Sequence, residues 1–69
     1  MLKSREVVYG AVYNKVKNNI INASDISHHG LMDFDWLKDK ASRRANISAV
    51  QNTNYFFHNQ DKLEEFLND

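Results

Sequence analysis

Apolar residues between Arg5 and Asn22 recur at helical rather than strand spacing. Val8, Tyr9, Val12, Tyr13, Val16 and Ile20 fall in one stripe at 3.6 residues per turn, with Gly10, Asn14 and Lys17 opposite. The run is too long for one strand, so it predicts a helix over 5–22, with Ser4 as its N-cap. Residues 23–32 (ASDISHHGLM) lose the period and gather Ser, Asp and Gly, which predicts a loop. The period resumes at Asp33, a candidate cap, and Phe34, Leu37, Ala41 and Ala45 form a second apolar stripe. Trp36 falls nearly opposite that stripe, with Lys40 and Arg43 beside it at i+4 and i+7. Either this aromatic is exposed, or it packs under the first or the last helix.

Ser48 and Gln51 have the spacing of a capping box, which predicts that a third helix starts there after a tight turn at Ala45-Asn46-Ile47-Ser48. Ala49, Val50, Thr53, Phe56 and Phe57 form its apolar side, with Gln51, Asn54, Tyr55 and His58 opposite and Asn52 on the flank. Asp61 and Glu64 repeat the capping spacing ahead of Leu63, Phe66 and Leu67, which predicts a short last helix. The fold class expected is all-α: a compact bundle of three main helices plus a short C-terminal one, forming a single domain over 1–69. The expected core is Val8, Val12, Val16, Ile20, Phe34, Leu37, Ala41, Val50, Phe56, Phe57, Leu63 and Phe66. Two helices joined by so short a break form a helix-turn-helix-like pair.

Composition narrows what such a bundle can do. With 69 residues and no cysteine, the chain has neither a disulfide nor a thiolate zinc site to support a small core. A homodimer or a docked partner is therefore an option on stability grounds alone. Nine basic side chains balance nine acidic ones, unlike a protein that coats nucleic acid. The balance is uneven along the chain: Lys3, Arg5, Lys15 and Lys17 near the start, Asp61, Glu64, Glu65 and Asp69 at the end. No stretch has the length of a membrane span or the pattern of a secretory signal, which points to a cytoplasmic protein. Asparagine is frequent, a bias common in AT-rich phage and plasmid coding sequences.

Candidate chemistry is sparse. The serines lack a nucleophile-elbow frame, Asp33 and Asp35 point to different helix sides, and Gly10 and Gly30 alone make no phosphate loop. His28 and His29 with Asp25 or Asp33 form only a weak metal-ligand pattern, more simply read as a solvated loop. No enzyme, cofactor or metal site is expected.

Binding has better candidates. Gln and Asn can read adenine in the major groove, and Arg43 and Arg44 lie where phosphate contact is feasible. The candidate DNA-binding set is Arg43, Arg44, Gln51, Asn52, Asn54, Tyr55 and His58. The segment Ala45-Asn46-Ile47-Ser48, with Phe57-His58-Asn59-Gln60-Asp61-Lys62-Leu63, resembles the turn and aromatic exit of the helix-turn-helix in tetracycline-repressor-type regulators. That resemblance, confined to residues 45–63, implies a small regulatory protein that binds DNA. The competing expectation is a protein-binding inhibitor or adaptor without nucleic-acid activity, its interface centred on Trp36, Lys40 and Arg43, since Trp and Arg are enriched in binding hot spots.

Overall fold

The computed structural model describes residues 2–23 and 31–69, with 31–34 described by their backbone only. The expected Ser27-His28-His29 loop and its candidate ligand Asp25 lie outside the described residues, and so does the Phe34 side chain. Among the described residues the chain forms three helices: α1 (Arg5–Ala23), α2 (Leu31–His58) and α3 (Gln60–Asn68). The all-α bundle is as expected. Its division into elements is not: one unbroken helix replaces the second and third expected helices and the turn between them.

α1 begins where its sequence predicts. The Ser4 hydroxyl accepts from the Val7 amide at 3.3 Å, and the Ser4 carbonyl accepts from the Val8 amide at 2.9 Å. Ser4 thus satisfies amides that a helix start leaves without intrahelical partners.

α2 starts at Leu31, two residues ahead of the expected cap Asp33, and passes straight through 45–48. Its length explains the shape of the molecule. A helix of 28 residues spans ~42 Å at 1.5 Å per residue, and the long axis of the protein is 42 Å. The continuity has a packing cause. Ala41, Ala45 and Ala49 follow one another at i+4 and are all fully buried. They make a flat strip along which a second helix can lie closely. A turn at Ala45–Ser48 would rotate Ala49 out of that strip. Neither Gly nor Pro stands there to force a break. Ser48 sits inside the helix, its carbonyl accepting from Asn52 Nδ2 at 2.7 Å, so it caps nothing. Tertiary packing overrides the local preference of Asn46 and Ser48 for helix ends.

α1 lies antiparallel on this strip. Arg5 Nη1 donates to Asn54 Oδ1 at 3.0 Å, the Tyr9 hydroxyl donates to Asn46 Oδ1, and Tyr13 shares a groove with Ser42 and Arg43. Rising numbers in α1 meet falling numbers in α2.

The chain breaks at Asn59, whose φ of −134° and ψ of 64° leave the helical region. Asn59 Nδ2 donates to the Tyr55 carbonyl at 2.8 Å, and Gln60 Nε2 donates to the Phe57 carbonyl at 3.3 Å. These bonds satisfy carbonyls at the end of α2. The Asn59 carbonyl accepts from the Lys62 and Leu63 amides at 2.9 and 3.2 Å and so starts α3. Asn59, not Asp61, is the N-cap residue, and its side chain makes no cap bond.

α3 folds back to seal one end of the hairpin. Val8, Val12, Ala49 and Leu63 form the fully enclosed cluster, with Val16, Phe56, Phe57 and Phe66 partly buried against it. Leu37 and Ala41 are buried as expected, and Ile20 is half-buried. Val50 departs from expectation. Ala41, Ala45 and Ala49 fix the buried face of α2, and Val50 stands ~100° from Ala49, away from that face, and is 65% exposed.

Candidate interaction face on α2

With α2 continuous, the side chains singled out on either side of the supposed turn share one element. Trp36, Lys40, Arg43, Ile47, Val50 and Asn54 follow at alternating four- and three-residue steps and are all exposed. Such spacing keeps a row on one side of a helix over its whole length. Arg44, Gln51, Tyr55 and His58 are also exposed and flank this row.

Four large apolar groups stand in or beside it: Trp36 is 62% exposed, Ile47 57%, Val50 65% and Tyr55 52%. Trp36 therefore does not pack under α1 or α3. Lys40 Nζ lies 4.9 Å from the Trp36 ring centroid, a cation–π arrangement that keeps the ammonium beside an apolar plate. Arg43 Nε is 3.1 Å from Asp39 Oδ2, one turn earlier. Both side chains of that pair are exposed, so solvent screens it and it contributes little to stability. Arg44 lines a shallow groove between α1 and α2 with Val16, Ile20, Ile47, Ser48 and Gln51. On the other side of the hairpin, Arg43 lines a similar groove with Tyr9, Tyr13, Ser42 and Asn46.

The residues expected to read DNA fare unequally. Gln51, Tyr55 and His58 are exposed on α2. Asn54 is exposed, but its Oδ1 accepts from Arg5, whose guanidinium carbon also lies 4.5 Å from the Phe57 ring centroid. Asn52 is half-buried and turns its amide back to the Ser48 carbonyl. Arg43 and Arg44 lie in the middle of a helix, not at the mouth of a turn. The turn that would set a recognition helix against its neighbour is absent, because residues 45–48 are helical.

Sequence reasoning placed Ile47 in a turn and Val50 in the core, and so missed both as members of this face. The signal that finds them is the 36-40-43-47-50-54 spacing, visible only when the helix is read without a break.

Among the described residues, no group of three or more His, Asp or Glu side chains could hold a metal ion. Among the same residues, no helix is long and apolar enough to cross a membrane. No model of a protein family, no curated protein and no solved structure matches this chain.

Proposed function

We propose that this chain is a protein-binding module, an adaptor or inhibitor, that docks its partner along the outer face of α2. One observation carries the reading: Trp36, Ile47, Val50 and Tyr55 are solvent-exposed on a single straight helix. Small monomeric domains do not usually array large apolar groups along one exposed element, and such arrays mark interaction sites. Trp36 with Lys40 and Arg43 beside it is the composition of a hot spot.

DNA binding by the same helix is the competing proposal, resting on Arg43, Arg44, Gln51, Tyr55 and His58. It has weaker support, because the net charge is zero and phosphate neutralisation supplies most DNA affinity. Apolar Ile47 and Val50 also occupy the row that would have to face the duplex.

Capture from a lysate of the encoding organism, with and without nuclease, separates the two. The tagged chain should retain the same partner after nuclease treatment, and should lose it on Ile47→Asp or Trp36→Ala while still melting as a folded helical protein. Capture abolished by nuclease, together with a gel shift of random-sequence duplex DNA at low salt, would replace this reading with the DNA one.

A further inference from the structure

The charges around the α2 face restrict what can cover it. From Lys40 to Gln60 the chain contains no Asp or Glu, while Lys40, Arg43 and Arg44 all fall there. The nine carboxylates lie elsewhere: Glu6 in α1, Asp25 before α2, Asp33, Asp35 and Asp39 in the first turns of α2, and Asp61, Glu64, Glu65 and Asp69 in or after α3. α1 and the residues before it already engage part of that acidic end. Lys3 Nζ is 3.1 Å from Glu64 Oε1, and Lys15 Nζ donates to the Asp69 carbonyl at 2.7 Å. No described carboxylate forms an ion pair with Lys40, which stands in the row with Ile47 and Val50, or with Arg44, which stands beside it.

An occupant must therefore bring apolar groups to the strip and negative charge to its sides. It must also satisfy its own backbone, because an apolar helix face offers no row of peptide groups to pair with. An extended peptide fails that condition, whereas a helix meets it internally. We propose that the α2 face docks an acidic amphipathic helix of a partner protein, with the partner's apolar stripe on Ile47, Val50 and Trp36 and its carboxylates beside Arg44 and Lys40. The inference rests on the docking reading above and adds the chemistry of the occupant.

A second copy of the chain fits less well. Pairing α2 with α2 over Ile47 and Val50 brings no carboxylate to Lys40 or Arg44, because residues 40–60 contain none. The acidic α3 already uses its apolar side, Leu63, Phe66 and Leu67, on its own core. DNA supplies negative charge but no apolar surface to cover Ile47 and Val50.

Trp36 is the chain's one tryptophan and is exposed, so its emission reports on this face directly. The probes are three synthetic three-heptad peptides with one leucine stripe and with Glu, Gln or Lys at the flanking positions. The Glu peptide should shift Trp36 emission to the blue and saturate. Its affinity should fall with added salt, drop roughly tenfold when Lys40→Gln and Arg44→Gln are combined, and vanish with Ile47→Asp. Circular dichroism melts of each variant should match the parent, since all three positions are exposed.

Equal binding of the Gln or Lys peptide would overturn the acidic occupant while leaving α2 docking intact. No response to any peptide, beside lysate capture still lost on Ile47→Asp, would overturn the helical occupant alone. A concentration-dependent dimer in light scattering, abolished by Ile47→Asp, would assign the face to a second copy and overturn the proposal. A Trp36 response to random-sequence duplex DNA and to no peptide would overturn both the proposal and the reading beneath it.

Discussion

At the scale of single residues, the enclosed core is small and two positions test it from opposite sides. Gly10 lies within α1, and a Cβ built there meets no atom within 4 Å. Alanine at that site adds no clash and narrows the unfolded ensemble, so Gly10→Ala should stabilise the protein by about 0.5–1 kcal/mol. In a domain of this size that raises Tm by roughly 2–8 °C, and a calorimetric Tm at or below the parent's would contradict the helical assignment at Gly10. Leu63 is the opposite case, fully buried among Val8, Val12 and Ala49. Leu63→Ala should cost about 2–5 kcal/mol through lost burial and the cavity left behind. Phe57 is only partly buried, with Arg5 over its ring, so Phe57→Ala should cost less than Leu63→Ala in the same urea titration. The sequence distinguished these positions poorly. Period alone marks Leu63, Phe57 and Val50 as equally apolar, and only the packing of α3 and the phase of α2 rank them.

At the scale of elements, α1 and α2 differ in how much of each was legible. α1 carries its own start signal in Ser4 and its own buried pair in Val8 and Val12, so local chemistry and tertiary packing agree. α2 contains a conflict. Asn46 and Ser48 favour a helix end, while Ala41, Ala45 and Ala49 continue at a strict four-residue step across that spot. A stripe that keeps its phase through a supposed break argues that the break is not there, and the structure follows the stripe. Proline substitution discriminates the two arrangements. Ile47 is exposed, so Ile47→Ala removes little packing and should change stability only slightly. Ile47→Pro removes a helical hydrogen bond and clashes with the preceding turn, at a cost of about 3 kcal/mol or more. A protein of this length has only ~3–10 kcal/mol in total, so the proline variant should lose a large share of its stability and melt far below the parent by far-UV circular dichroism. Retention of the parent spectrum and melt by Ile47→Pro would restore a turn at 45–48. The same conflict governs the candidate face. With a turn, Gln51 and Asn54 belong to a separate recognition helix. Without one, Asn54 extends the row that begins at Trp36 and Gln51 flanks it.

At the scale of the whole molecule, support among the described residues is unevenly distributed along the 42 Å axis. α3 closes the end that holds Val8, Val12, Ala49 and Leu63, and the N-terminal segment is fastened to that same end. Gln60 Oε1 accepts from the Lys3 amide and Gln60 Nε2 donates to the Lys3 carbonyl, each at 2.9 Å, so one side chain pairs with a backbone unit as a neighbouring strand would. Leu37 and Ala41, at the far end of α2, are buried outside this cluster. The consequence is a gradient of opening along a helix that is continuous in geometry. Amide exchange at Ala49–Phe56 should require global unfolding, whereas amides at Leu37–Lys40 should exchange through local opening at a lower free energy. Gln60→Ala should cost about 1–2 kcal/mol in total for its two partly buried bonds to Lys3. It should also abolish protection at the Lys3 amide while leaving the gradient along α2 in place. The gradient bears on function, because Trp36 and Lys40 lie in the segment with the lower opening free energy. A partner seated on the outer face should raise protection most at 36–41, where the free chain opens most readily, and little at 49–56. Uniform protection along α2 in the free protein, or a partner that protects only the C-terminal half, would show that the hairpin is equally supported throughout and that the docked surface does not extend to Trp36.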